Sequence, residues 1–245
     1  MIGQMLWNSP ISEERFEEMA RRLDLQPGQR VLDVGCGTGE MLTRLAENYK
    51  ILGMGVETSI NLIAKARSRS AERLVDGPIQ WVVGDASRWD PQETFDVVMC
   101  LGATHAFGSG QVALRNAIQA MRRWVKPGGL LLIGEAIMRR KAPPEYREII
   151  QRFPPDSMTH SSNVKNFLGE GLSVVSSWTS TETEWDAFEF MHQEIAETSA
   201  RDHPNDIQAQ EKLEHRRMWI DGYEKWGRTT LGFVVYLART PAPGS

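Results

Sequence analysis

The residues that offer the most chemistry in this chain are Asp33, Gly35, Cys36, Gly37, Thr38 and Gly39, with Glu57 further on. Val31, Leu32 and Val34 form the apolar run of a strand covered on both faces. Glycines then stand at alternate positions. Without a Cβ they allow a sharp turn and let a ligand lie against the backbone. Met41, Leu42, Leu45 and Ala46 follow at helical spacing. The free N–H groups of such a helix start attract an anionic group such as a carboxylate or phosphate. Glu57 ends the next apolar run, about twenty residues past the first glycine, where nucleotide-binding sheets place an acid against ribose hydroxyls. A carboxylate can accept from both hydroxyls at once.

Spacing separates the families that use such turns. Dinucleotide-binding dehydrogenases carry G-x-G-x-x-G, whereas this chain reads G-x-G-x-G with Asp33 ahead of it. That pattern resembles motif I of the class I S-adenosylmethionine-dependent methyltransferases, whose glycine loop lies against the methionine half of the cofactor. The resemblance is strong from about Arg30 to Glu135, and the K-P-G-G turn at Lys126 to Gly129 is also frequent in the family. The whole chain is similar to uncharacterised bacterial small-molecule methyltransferases. The fold this implies is α/β: a Rossmann-like, doubly wound, seven-stranded, mostly parallel sheet with an antiparallel last strand and a helical cap insertion.

The resemblance also implies a cofactor, S-adenosyl-L-methionine, and a set of residues that hold it: Asp33, Gly35, Cys36, Gly37, Gly39, Glu57, Thr58, Asp85, Ala86 and Leu101. Asp85 matches the acid that contacts the adenine amino group, Ala86 supplies the next amide, and Leu101 covers the cofactor. Trp89 packs either near the adenine or in the core. Thr104, His105 and Phe107 are expected to face the transferred methyl group or the substrate. His105 is the first candidate for a general base and Glu135 the second, a base being needed only if the acceptor arrives protonated. The implied activity is methyl transfer to an N, O, S or C nucleophile of a small molecule. Relatives carry G-E-P-Y-W after the fifth strand; here Ala136 to Met138 replace the aromatic pair. No N-P-P-Y signature of base methylation and no proline-cysteine pair of cytosine methylation is present. Aminopropyl transfer in the same kind of pocket is an alternative, though no D-x-x-x-D polyamine site follows the fourth strand. A non-catalytic S-adenosylmethionine-binding regulator is another. An NAD oxidoreductase is disfavoured by the glycine spacing.

The elements that must position these residues alternate along the chain. Ser9-Pro10 or Ser12 caps a first helix with Phe16, Met19, Ala20 and Leu23 on its apolar side. Strands are expected at Val31–Val34, Ile51–Val56, Ile79–Val83, Phe95–Cys100 and Leu130–Ile133, with helices between them. Thr58 or Ser59, and further on Ser109, are candidate caps for two of those helices. After Glu135 the pattern changes to short helices at Glu145–Phe153 and Asn163–Leu168, then a strand at Leu172–Trp178. A helical stretch from Thr181 to about Arg228 precedes an apolar last strand, Leu231–Leu237, placed beside the fifth. One domain is expected over 1–245, its core at about 27–135 plus 172–239 and its cap at about 181–228. Trp219, Tyr223 and Trp226 share a helix face. A core stripe accounts for that spacing; the sharper reading is an aromatic substrate wall, faced by Trp185, Phe188 and Met191. Met5-Leu6-Trp7 reads as an arm able to fold over the site, or as a frayed terminus, and Pro241–Ser245 as a disordered tail.

Composition bounds the partners. A chain of 245 residues with 24% charged and 41% hydrophobic residues is ordinary for a globular protein. A net charge of −4 offers no global case for nucleic acid. Cys36 and Cys100 form no disulfide framework, and the five histidines lack metal-ligand spacing. With no signal peptide and no membrane-length apolar run, a cytoplasmic monomer or homodimer acting on a small molecule is expected, without membrane or nucleic acid.

Overall fold

The computed structural model describes residues 6–150, 154–242 and 244. Met5 of the expected arm, Gln151–Phe153 of an expected helix, and Pro243 and Ser245 of the tail lie outside them. Helix α1 (Glu13–Arg22) begins where Ser12 Oγ accepts from Arg15 N at 3.1 Å, so Ser12 rather than Ser9 is its cap. Strand β1 (Arg30–Val34) runs through the glycine turn into α2 (Glu40–Tyr49). Then come β2 (Leu52–Glu57), α3 (Ile60–Arg73), β3 (Ile79–Val83) and β4 (Phe95–Leu101). A short 3-10 turn, Thr104–Phe107, leads to α4 (Gly110–Trp124), whose preceding Ser109 makes no side-chain cap, contrary to expectation. Strand β5 (Val125–Met138) absorbs the Lys126–Gly129 turn as an irregularity in its pairing with β4 and extends past Glu135.

The remaining elements are α5 (Pro144–Ile149), α6 (His160–Gly169), β6 (Ser173–Thr179), α7 (Glu182–Asp202), α8 (Ile207–Gly222) and β7 (Leu231–Arg239). A π turn at Tyr223–Gly227 continues α8. Capping boxes open both α6, at Thr159, and α7, at Thr181, where Glu184 reaches back to the cap. Strand order is β3-β2-β1-β4-β5-β7-β6. The first five strands pair in parallel, and β7 lies antiparallel between β5 and β6. This is the doubly wound sheet with an antiparallel last strand that the sequence predicts.

Side chains alternate across each strand, so the sheet has two apolar faces. Val31, Val97, Met99, Leu130 and Leu132 pack with α1, α2 and the Tyr146, Trp185 and Tyr223 rings on one face. Leu32, Val34, Val98, Leu131 and Ile133 pack with Leu114, Ile118 and Met121 of α4 and Phe167 of α6 on the other. That parity assigns every residue at a strand's carboxyl end to one side of the sheet, and it decides which of them reach the site.

The turn after β1 is packed tightly enough to be tested. A Cβ on Gly39 would stand 2.4 Å from the Trp81 ring at a φ of +72°, whereas one on Gly28, at φ +81°, would meet nothing within 4 Å. Gly28→Ala is expected to cost about 1–2 kcal/mol through backbone strain alone, and Gly39→Ala about 2–5 kcal/mol because overpacking adds to it. Urea denaturation of the two variants checks this; equal losses would contradict the packing.

Candidate functional site

A cavity of about 530 Å³ opens at the carboxyl ends of β1, β2 and β4. The strand order reverses between β1 and β4, the place where open α/β sheets bind ligands. The three glycines of the first turn all have positive φ, +70°, +54° and +72° for Gly35, Gly37 and Gly39. They do different things. A Cβ on Gly35 would stand 2.3 Å from Ala103 Cβ, and Gly39 is closed by Trp81 and Ala66. Only Gly37 faces open space, with nothing within 4 Å. Gly39 serves packing and does not line the cavity, whereas Gly35, Cys36 and Gly37 do.

Hydrogen bonds hold the turn in shape. Val56 O accepts from Gly35 N at 2.9 Å and Cys36 N at 3.2 Å, and Cys36 O accepts from Gly39 N at 2.9 Å. Arg69 Nη1 donates to Thr38 O at 2.8 Å and to Thr38 Oγ1 at 2.7 Å. Arg69 is itself fixed by the buried Glu40, whose carboxylate also takes Arg44 at 2.6 Å and Arg73 at 2.7 Å. A buried charge needs such partners.

Glu57 stands on the cavity wall beside Thr58. Its Oε2 accepts from Gly37 N at 3.3 Å, and its Oε1 accepts from Thr58 Oγ1 and Ser59 N at 3.0 Å each. A carboxylate has about four acceptor positions, so lone pairs are left for ligand hydroxyls. Asp33 also lines the cavity and is 5% exposed. Burial, and secondarily the nearby Glu57 charge, push its carboxyl up to about 7. Gly84 and Ala86 line the cavity. Asp85 between them sits exposed at the rim, where Ser87 donates to its Oδ1 from N at 2.9 Å and from Oγ at 2.7 Å, holding the carboxyl below its usual range. Burial, with the Asp33 charge second, pushes the Cys36 and Cys100 thiols well above the ordinary cysteine value, so neither supplies a thiolate.

The turn after β4 corrects several expectations. Ala103, His105 and Ala106 line the cavity, together with Leu101. Thr104 and Phe107 turn the other way and are buried. Phe107 packs on the Trp124 ring, 6.3 Å away, in the α4 face of the core, and Trp89 meets the same ring rather than an adenine position. Thr104 Oγ1 donates to the Glu135 carboxylate. Glu135 shares the side of β5 that carries Ile133 and Ile137, by strand alternation. Its carboxyl, raised by burial, accepts from Thr104 and from Ala136 N at 3.0 Å, and it does not line the cavity. Thr104, Phe107 and Glu135 therefore stand behind the wall, outside the cavity lining.

The aromatic residues of α7 and α8 follow the core reading. Trp185 packs edge-on to Phe188 at 5.8 Å and lies 6.4 Å from Tyr223. Tyr223 OH donates to Asp186 Oδ1 at 2.8 Å, and Trp219 Nε1 donates to the buried Glu189 at 2.9 Å. Their rings meet across the seam of two packed helices, and none of the three lines the cavity. The residue of α7 that does line it is His192, which no local spacing marks. Its Nε2 meets Asn8 Oδ1 at 2.9 Å. The arm Leu6 to Ser9 crosses the cavity mouth, held where Thr38 Oγ1 donates to Leu6 O at 3.5 Å, Ser9 Oγ to Leu101 O at 3.1 Å and Trp7 Nε1 to Ile11 O at 2.7 Å. Of the two readings of the arm, the folded-over one describes Leu6 and Trp7.

A mostly parallel sheet with its cavity at the strand-order reversal, a glycine turn open at Gly37 and an acid at the end of β2 define the class of proteins built to bind a nucleoside cofactor. The comparisons agree. A family model described as a methyltransferase domain matches residues 31–129. The chain is 31% identical over 186 residues to the uncharacterised protein YjhP of Escherichia coli K12, covering 74% of this chain and 73% of that protein. The YjhP crystal structure superposes with a TM-score of 0.86 over 96% of this chain and 95% of that one. A methyltransferase from Geobacter sulfurreducens, crystallised with S-adenosyl-L-homocysteine, is 28% identical with a TM-score of 0.86, covering 96% of this chain and 94% of its own. One from Thiobacillus denitrificans in complex with the same product is 26% identical with a TM-score of 0.85, again over 96% and 94%. The chain belongs to the S-adenosylmethionine-dependent methyltransferases.

Two outcomes follow from the site's electrostatics and anchoring. Asp33 has a folded-state pKa of about 7 against an ordinary 3.8. A carboxyl raised in this way contributes stability in acid, and that contribution is lost as pH rises from about 4 through about 7. At about 1.36 kcal/mol per pKa unit, holding Asp33 charged costs on the order of 4 kcal/mol. Asp33→Asn is thus expected to make the ligand-free protein more stable near pH 8 and to change little near pH 4, as read by denaturant midpoints. Thr104→Val, which removes a partner from the buried Glu135, is expected to cost about 1–3 kcal/mol in the same assay.

Proposed function

We propose that the methyl acceptor is a small molecule and that the cavity residues hold the cofactor in the way their chemistry suggests. The observation that carries this is the cavity itself: open at Gly37, walled by Asp33 and Glu57, and crossed at its mouth by the chain's own arm. Its volume of about 530 Å³ lies in the usual ligand-pocket range of about 300–1,000 Å³. The residues fit the cofactor. Gly37 leaves space where any other residue would place a side chain, Glu57 keeps lone pairs for ribose hydroxyls, and Asp33 offers a carboxylate to a cationic ligand. Ala86 and Leu101 add apolar wall for the base, with Asp85 at the rim beside it. When bound, S-adenosylmethionine supplies a methyl group already activated on a sulfonium.

The protein's own task is then orientation and exclusion of water. Holding a nucleophile in a near-attack geometry contributes up to about 7–11 kcal/mol in favourable cases. Leu6, Trp7 and Asn8 cover the mouth. His105, on the wall and exposed, accepts the proton of an acceptor that arrives protonated. Helices α7 and α8 act as a cap over this end of the sheet. Among the described residues no helix is long and apolar enough to cross a membrane. With Cys36 and Cys100 both free thiols, the fitting compartment is a reducing cytoplasm, and the chain works there as a monomer or homodimer.

Isothermal calorimetry tests the cofactor half. Gly37→Val and Glu57→Ala are each expected to weaken S-adenosylmethionine binding by about tenfold or more, since each removes space or a charged hydrogen-bond acceptor. Unchanged affinity in folded variants would refute the assignment. Wild-type affinity for the cation is expected to fall by up to about tenfold from about pH 8 to about pH 6 as Asp33 takes up its proton, and Asp33→Asn to flatten that dependence. A screen with labelled methyl donor over a metabolite library identifies the acceptor. With it, His105→Ala is expected to lower kcat by about a hundredfold and Glu135→Gln by far less; the reverse order would return the base to Glu135.

A further inference from the structure

Beyond the cofactor residues, the cavity wall carries a hydrogen-bonded polar pair, His192 and Asn8. We propose that His192 and Asn8 form a clasp that binds the methyl acceptor, and that the acceptor presents an uncharged O–H or N–H to Nδ1 of His192. The inference rests on the methyl-transfer reading above. His192 comes from α7 and Asn8 from the arm, and both line the cavity.

The hydrogen bond between them sets the tautomer. Asn8 Oδ1 carries no proton, so His192 Nε2–H donates to it, at 2.9 Å. In a neutral imidazole the other nitrogen then holds a bare lone pair. Among the described residues that Nδ1 has no hydrogen-bond partner, and the ring stands between the cavity and a neighbouring groove of α7 and α8. The ring is seated edge-on against Phe188, with centroids 4.6 Å apart. Burial, with the Arg216 charge second, lowers its pKa to about 4, so it stays neutral and able to accept.

The charge of the wall selects the class of acceptor. The acids Asp33 and Glu57 belong to the cofactor, and Glu40 is matched by three arginines. What remains along the arm and the two histidines is Leu6, Trp7, Asn8, Ser9, His105 and His192, none of them a carboxylate, ammonium or guanidinium; the cation nearest His192, Arg216, lies outside this lining and is matched by the buried Glu189. An ionised acceptor would lose hydration here without a partner. A neutral donor exchanges one hydrogen bond to water for one to Nδ1.

The test uses protein labelled with ¹⁵N in its histidines and saturated with S-adenosylhomocysteine. Phenol, benzoate and benzylammonium serve as size-matched neutral, anionic and cationic probes. Near pH 7 His192 is expected to show the neutral Nε2–H tautomer. Phenol is expected to move its Nδ1 resonance saturably, and the two ions to bind at least about tenfold more weakly. Asn8→Ala, which frees the tautomer, is expected to weaken phenol by about fivefold or more in protein kept saturated with S-adenosylhomocysteine. An Nδ1–H tautomer, an ion that binds as tightly as phenol, or an unmoved His192 with the product still bound would overturn this inference alone. Failure of S-adenosylhomocysteine to bind would overturn the methyl-transfer reading and the clasp together.

Discussion

The close approach of two turns at the carboxyl end of the sheet is the contact on which the site depends. Gly35, after β1, leaves so little room that a Cβ would stand 2.3 Å from that of Ala103, after β4. Neither turn can move without the other. The first is fixed by Val56 O on one side and by Arg69 on the other. The second is fixed from behind by Glu135 through Thr104, and by Asn116 Nδ2, which donates to Phe107 O at 3.0 Å. Because both turns are held by groups on their far sides, their near sides are free to be a wall. A site on a rigid frame of this kind loses little entropy when a ligand arrives.

Charge is distributed by the same logic. Glu40 is buried yet surrounded by arginines, and these contacts help the turn hold its shape. Asp33 is equally buried, and what raises its pKa is burial and the like charge of Glu57. One carboxylate is paired within the fold; the other lines the cavity with its pKa raised, and carboxyls perturbed in this way are common at functional sites.

The strands, the helices between them and the glycine turn were legible because their signals are local. Alternation, apolar runs and the spacing of Gly35, Gly37 and Gly39 lie within a few residues of one another. Glu57 was legible for the same reason, as the end of β2. The roles of Thr104, Phe107 and Glu135 were not. Which side of the sheet Glu135 takes depends on the parity of β5, and the pairing that sets it extends past the point where the sequence pattern fades. Trp185, Trp219 and Tyr223 share helix faces, which is what a core seam and a binding wall both require, so spacing could not separate the two. His192 was invisible for a different reason: its partner, Asn8, lies at the opposite end of the sequence.

The place of β7 has a bearing on how the molecule is made. It is the last strand in sequence, yet it lies between β5 and β6 rather than at an edge. While the chain emerges from a ribosome, β5 presents an open rim and β6 has no neighbour to pair with until residues 231–239 arrive. Slow assembly is typical of such long-range pairings. Through that interval the half-built sheet presents the unpaired backbone edge of β5, and an open strand edge of this kind is where nascent copies can pair with one another.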